Sequence, residues 1–390
     1  MNQKKTSIFE NALIWFGAGV SLAEIQTGME LASIGIEKGI LAIIIGHIIG
    51  CVLLFLAGLI GGYTGRSSME CAALSFGKKG AALFAILNIL QLLGWTGIMI
   101  YDGAIAAESI LHLSIPVWAC IIGGLIIVWI LVGIQNLGKI NTIAMAALFI
   151  LSVVLCFSLK NAAGSAVIVN ESLSFGQAVE LSIAMPLSWF PLIADYTREA
   201  EKPFAATLAS SVVYGLISTW MFVIGLAAAV FTQGSDLAMI MVQAGLGIAG
   251  LLIVVFSTVT TTFLDAYSAG VSSVTISDKI NEKHAGVVIT VIGIIGASLI
   301  NMDNISDFLY LIGSVFAPMV AIMICDYFLV HHDAKDQNLD ISRLIIWVLG
   351  FVLYRILLGM DLPLGSTIWD MGATILLTLI IDKVSLSFRH

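Results

Sequence analysis

This chain is short of charge. Only 11% of its 390 residues are Asp, Glu, Lys or Arg, against 59% hydrophobic ones. Soluble domains carry roughly 25% charged residues. That shortage excludes a water-soluble enzyme and a nucleic-acid-binding surface. Long polar tracts and low-complexity linkers are missing too, and the longest polar stretch, His331 to Ser342, reads as a connector. The five cysteines (Cys51, Cys71, Cys120, Cys156, Cys325) are scattered without CxxC spacing, so they read as small apolar side chains. No HxxxH, HExxH, DDxxD, GxSxG or P-loop pattern occurs, so the sequence predicts no transition-metal site, nucleophile triad, nucleotide cradle or cofactor. The start, Asn2-Gln3-Lys4-Lys5, enters a segment too long for a signal-peptide core, so no cleaved signal is expected.

What the chain does have is hydrocarbon-length apolar sequence, with a mean hydropathy of +1.05. About 20 apolar residues cross a bilayer. That ruler gives twelve spans, at about 10–36, 39–62, 80–108, 114–134, 140–160, 174–197, 205–231, 239–276, 284–301, 304–330, 341–359 and 366–384. An even count puts both termini on one side, where it also places 14 of the 17 Lys and Arg residues; Lys38, Lys160 and Arg355 fall opposite. The positive-inside rule makes that side cytoplasmic. The expectation is one all-α, multi-pass domain over 1–390, in the cell membrane.

Two of these spans are interrupted. The first contains Gly17-Ala18-Gly19-Val20-Ser21-Leu22-Ala23-Glu24-Ile25-Gln26-Thr27-Gly28, where an ordinary membrane helix would continue with Leu and Ile. Irregular backbone survives in hydrocarbon only where it lines a cavity or is buried in protein. The sixth contains Pro186 and Pro191, two of only six prolines, with Ser188 and Trp189 between them. Each proline removes a backbone donor and clashes with the preceding turn. Interruptions five segments apart are the pattern of inverted repeats around a midplane site. The expected layout is repeat one over about 10–160, repeat two over about 174–330, and two additional helices over about 341–384.

Ionisable residues inside a membrane are costly and mark function. Glu24 is the sharpest candidate, able to exchange protons or to accept N–H bonds from a heterocycle. Gln91, Trp95 and Asp102 stand at i, i+4 and i+11 on one face of the third segment. Trp95, between Gly94 and Gly97, offers a ring for stacking. Ser257, Thr260 and Thr261 share a face of the eighth segment, with Asp265 one turn on; these hydroxyls suit Na⁺ or helix–helix hydrogen bonding. His47 reads as a packed helix histidine.

Two stretches carry a resemblance. Phe308-Leu309-Tyr310-Leu311-Ile312-Gly313-Ser314-Val315-Phe316-Ala317-Pro318 with Ile324-Cys325-Asp326-Tyr327-Phe328-Leu329 resembles the segment-ten signature of the nucleobase–cation symporter-1 family. Ala194-Asp195-Tyr196-Thr197-Arg198 resembles that family's segment-six ending, and Gly94-Trp95 its stacking tryptophan. Within the family the chain looks most like cytosine permeases, especially hydroxymethylpyrimidine permeases of thiamine-precursor salvage. The resemblance implies a LeuT-like fold, five plus five segments with two added. It implies that Trp95 stacks a pyrimidine and that Ser188 and Trp189 line the opposite wall. It also implies a cation held by backbone from Val20 to Ala23 with Ser257, Thr260 and Thr261. Glu24, Gln26, Gln91, Asp102 and Asp265 complete the expected substrate residues.

The sequence therefore predicts a monomeric symporter in the lipid bilayer that imports a pyrimidine-type molecule by alternating access, with Na⁺ or H⁺ as coupling ion. The rivals are an amino-acid or amine symporter on the same fold, an intramembrane enzyme and a channel. The acidic site opposes an amino-acid carboxylate, the enzyme lacks a catalytic constellation, and two broken helices suit occlusion better than an open pore.

Overall fold

The computed structural model describes residues 5–132, 142–143, 146–147, 149–150, 152–154, 156–157, 173–232, 247–302 and 305–387. Its helices are α1 (Ile8–Gly19), α2 (Leu22–Glu30), α3 (Ile36–Thr64), α4 (Ser68–Glu108), α5 (Ile115–Val132), α6 (Phe175–Ser188) and α7 (Ile193–Thr197). They continue with α8 (Pro203–Thr232), α9 (Gly247–Ile276), α10 (Glu282–Leu299), α11 (Ile305–Cys325), α12 (Ile341–Leu358) and α13 (Gly365–Ser387). A 3₁₀ turn, Leu31–Ile34, ends the first segment, and a π turn, Asp326–Val330, follows α11.

Among the described residues, eight helices are long and apolar enough to cross a membrane, nine if α1 and α2 with its 3₁₀ turn count as one span bent by 50°. The expected fifth span, 140–160, is described only in part, and Lys4, Lys139, Lys160 and Arg389 lie outside the described residues. The start of the expected eighth span, 239–246, and the end of the fourth, 133–134, also lie outside them; among the described residues, helices stand at the other expected places.

Each element starts where its sequence allows. Ser7, Ser67 and Ser174 form capping boxes with Glu10, Glu70 and Gln177, tying up donors that a helix start leaves free. The apolar pattern is turned outward, as a bilayer solvent requires: Leu41, Ile44, Ile48 and Val52 on α3 are exposed, whereas Gly46, His47, Gly50 and Leu54 are buried. Small residues let backbones approach. A Cβ on Gly50 would strike the Pro186 ring, and one on Gly28 would strike the Phe222 backbone. The broken segments α2 and α6 thereby seat on α8 and α3.

Two expectations about connectors change. The third segment begins at Ser68 rather than near 80, because a first stretch of α4 precedes a break at Gly77 (φ 73°, ψ 177°). Positive φ of that kind is inexpensive only for glycine. The polar loop after α11 is more than a connector: it fills this break. Ala334 N donates to Leu74 O, Asp340 N to Phe76 O, Lys78 N to Gln337 O and Lys79 N to Asn338 O, at 2.7–3.1 Å. On the same end, Thr6 exchanges backbone hydrogen bonds with Glu199 and Glu201. Arg66, Lys78, Lys79, Arg198 and Lys335 therefore belong to one end of the molecule, as the charge asymmetry requires.

Candidate functional site

The first interruption is only two residues wide. Val20 (φ −90°, ψ 85°) leaves the helical region, and Ser21 (φ −139°, ψ 160°) is extended, its hydroxyl accepting from Glu24 N at 3.3 Å to start α2. Carbonyls near the break are met from α9: Ser257 Oγ donates to Val20 O at 2.9 Å, and Thr261 Oγ1 to Gly17 O at 3.2 Å. Ala23 O accepts from Thr27 Oγ1 at 2.8 Å. Thr260 differs from its two neighbours, because its hydroxyl returns to Phe256 O and Ser257 O on its own helix. In hydrocarbon these donors satisfy oxygens that water cannot reach.

The second interruption is a turn. Trp189 (φ −88°, ψ −10°) through Leu192 (φ −137°, ψ −9°) separate α6 from α7, held by i→i+3 bonds such as Leu192 N to Trp189 O. Two α4 side chains stitch it from outside: Gln91 Nε2 donates to Ser188 O at 2.8 Å, and Asn88 Nδ2 to Pro191 O at 3.2 Å.

Between the two breaks lies a cavity of about 20 Å³. That holds one water at most, so a ring enters only if the wall moves, and the state described is closed. Of the expected substrate residues, Glu24, Trp95, Ser188, Trp189 and Asp265 line it. Ala23 and Thr261 line it too, with Ser21, Met99 and Met185. Gln26 is half-buried outside the lining, and Asp102 is buried on α4 outside it. Gln91 serves the backbone of the second break. Val20, Ser257 and Thr260 stand behind the cavity wall at the first break.

Trp95 is 5% exposed, its indole N–H unpartnered among the described residues, and Phe308 meets it edge-on at 5.3 Å between ring centroids. Phe308 also occupies the space beside Gly94, so that glycine makes room for a packing ring. Trp189 belongs to an aromatic group with Trp15 (5.5 Å) and Tyr214 (6.2 Å). Asp265 is 4% exposed and makes no hydrogen bond among the described residues.

Glu24 is occupied differently. Tyr214 OH donates to Oε1 at 2.8 Å and Ser218 OH to Oε2 at 2.6 Å. Ser218 Oγ also meets His47 Nε2 at 2.6 Å, and His47 Nδ1 donates to Ile43 O at 2.9 Å. Ser218 has one proton and two partners, so one of those partners must itself donate. His47 is thus a hydrogen-bonded helix histidine, as expected, but its row ends on Glu24. Sequence reading missed Tyr214, Ser218 and Asn88. Asn88 was findable, three residues before Gln91 on the same face; Tyr214 and Ser218 give no such signal.

The two family-like motifs are clamps rather than site residues. Asp195 accepts from Ser68 N at 2.8 Å, Ala194 N donates to Ser68 Oγ at 3.0 Å, Tyr196 OH reaches Leu264 O and Thr197 Oγ1 reaches Gly58 O. Asp326 pairs with Arg343 through its Nε and a terminal nitrogen at 2.8–3.1 Å.

Two long apolar segments, each broken beside a closed aromatic and acidic cavity, are the architecture of a membrane transporter. The family described as permeases for cytosine/purines, uracil, thiamine and allantoin matches residues 1–343. The chain belongs to that family, the nucleobase–cation symporter-1 family, and is a nucleobase-type secondary transporter of many membrane passes. It is 26% identical over 339 residues to the cytosine permease of Escherichia coli strain K12, covering 82% of this chain and 80% of that one. It is 24% identical over 363 residues to the hydantoin permease of Microbacterium maritypicum, covering 84% and 74%. Its fold is shared with Mhp1, a nucleobase-cation-symport-1 family transporter solved closed with bromovinylhydantoin bound, at a TM-score of 0.82, 19% identity and coverage of 99% and 93%. The LeuT-like arrangement with two additional helices stands on that likeness.

Proposed function

We propose that the chain imports a pyrimidine-type ring bearing an exocyclic amine, such as hydroxymethylpyrimidine or cytosine, into the cytoplasm of the cell whose membrane holds it. The observation that carries this is Asp265, a buried carboxylate without a hydrogen-bond partner among the described residues, on the wall of a cavity also lined by Trp95. A buried acceptor is costly until paired. An aminopyrimidine supplies N–H donors to pair it and a flat face for the indole. Glu24 is committed to Tyr214 and Ser218, so it shapes the wall and Asp265 takes the polar recognition. Relatives named for cytosine and hydantoin, both small nitrogen rings, support the same class of substrate. An amino-acid substrate fits less well, because its carboxylate would face Asp265.

Coupling is to a cation gradient. For Na⁺, the oxygens available are the Gly17 and Val20 carbonyls with the Thr261 and Ser257 hydroxyls, paired at the first break; each hydroxyl can turn its lone pair to an ion in place of its hydrogen bond. Both termini are cytoplasmic by the basic residues gathered at their end, and the working unit is a monomer.

The test is saturable uptake in proteoliposomes, with thermal-shift binding, across cytosine, hydroxymethylpyrimidine, uracil and thiamine, with and without Na⁺. An aminopyrimidine that binds Asp265→Asn at least about tenfold more weakly than wild type supports the reading. Undiminished binding by that variant, or no response to any ring, overturns it.

A further inference from the structure

A second acidic place lies away from the substrate cavity, where α11, α12 and α13 meet α6. Two buried carboxyls stand here in contrasting states. Glu180, on α6, accepts from Tyr354 OH, from Ser366 N at 2.6 Å, and from Thr367 N and Thr367 Oγ1 at 2.8 and 2.6 Å. It therefore caps the start of α13, where backbone donors and the helix dipole favour an anion. Gly365 (φ 77°) turns the chain there, and its missing side chain leaves the space that Glu180 fills.

Asp370 lies one turn further along α13. It is fully buried, and neither of its carboxyl oxygens has a partner among the described residues. Thr374, one turn beyond on the same face, is 2% exposed with an unpartnered hydroxyl. In a helix such a hydroxyl ordinarily returns to the carbonyl four residues back; this one does not. A Cβ added to Gly350 on α12 would lie 2.9 Å from Thr374 Oγ1 and 2.5 Å from Pro318 Cβ on α11. The absent side chain thus brings Thr374 close to the Pro318 ring. Pro318 has no N–H, so the carbonyl of Ser314, four residues earlier, lacks its helical donor.

The charged groups nearby do not neutralise Asp370. Glu180 on α6 is of like sign and within electrostatic reach. On α12, Arg343 is taken by Asp326 and Asp382, and Arg355 is exposed. On α11, the ionisable groups are Asp307, Tyr310 and Cys325, and the Cys325 thiol donates to Ile375 O of α13 at 3.9 Å. A buried carboxylate is kept only if it is paired or coordinates a cation. We propose that Asp370, Thr374 and the Ser314 carbonyl form a buried site for a monovalent cation, a proton or Na⁺, that fastens the last two helices to the tenth segment. The oxygen-only donor set suits a hard, singly charged ion, and the contrast with fully donated Glu180 assigns the cation to Asp370.

The test uses the full chain in detergent. Wild type, Asp370→Asn and Asp370→Glu are melted in a NaCl series at constant ionic strength, and in a pH series in choline chloride. Ion binding at the substrate site is common to all three and sets the baseline. The expected result is a cation response in wild type about twofold larger than in Asp370→Asn, since a ligand stabilises only the state that binds it. A difference in the NaCl arm identifies Na⁺, and one in the pH arm alone identifies a proton. Parallel responses in both arms overturn the proposal. If Asp370→Asn does not fold, Asp370→Glu decides: a displaced midpoint in either arm supports the site, and unchanged midpoints in both overturn it.

Discussion

The two broken segments solve one problem in opposite ways. At the first, between Gly19 and Leu22, extended backbone exposes carbonyls, and side chains from α9 come to them. At the second, between Ser188 and Ile193, proline forces a turn that bonds within itself, and among the described residues only Ser188 O and Pro191 O are met from outside, by Gln91 and Asn88. Polar residues inside a span therefore need not face substrate. Some complete a backbone, and which ones do so depends on how that backbone breaks.

The largest effect is expected at Glu24. Glu24→Ala strands Tyr214, Ser218 and His47 in a buried row, at about 1–3 kcal/mol for each group left unpaired. Melting temperature and ring binding should fall together. If Glu24→Ala weakens binding while the melt stays unchanged, Glu24 is a substrate residue and the first break has a different support.

Next comes Gly50→Val, which overpacks α3 against Pro186 and should destabilise by about 1–3 kcal/mol. The matching change at the first break, Gly28→Ala, drives a methyl into the Phe222 backbone, and its melting temperature should fall likewise. A well-tolerated Gly50→Val would show that the second break is not held by close packing.

Asp265→Asn should weaken aminopyrimidine binding by roughly 10–100-fold, the worth of a charge-assisted hydrogen bond of about 1.5–3 kcal/mol. Thermal stability should stay near wild type, in contrast to Glu24→Ala. Gln91→Ala is expected to cost about 1 kcal/mol and to slow uptake by shifting Ser188, which equilibrium dialysis and initial rates will separate.

The smallest effect belongs to neither break. His332, in the loop that fills the Gly77 break, lies 2.9 Å from Asp340, whose carboxylate raises its pKa above the usual 6.5. A raised folded-state value means this pair's contribution is full below about pH 6.5 and is lost as pH rises through the folded value. The partly exposed pair is worth less than about 1 kcal/mol. His332→Gln should flatten that part of the pH–stability curve, and a slope unchanged by the substitution would remove the pair from consideration.

Sequence alone determined the membrane class, the place of eleven helical segments and the existence of both interruptions. Those follow from local facts: apolar length against bilayer thickness, glycine and serine where leucine belongs, two prolines in one span. It also picked out residues of the cavity wall, such as Trp95 and Asp265. It could not apportion the polar residues. Glu24 and Asp265 look alike in sequence, yet one is met by donors from 190 residues away or more and the other has no partner among the described residues. Nor could it tell Glu180 from Asp370, or foresee that the Asp195 and Asp326 motifs clamp helices together. Hydrogen-bond partners that distant in sequence are set only when helices pack, so tertiary structure alone decided which polar groups are satisfied by the protein and which are left for a ligand.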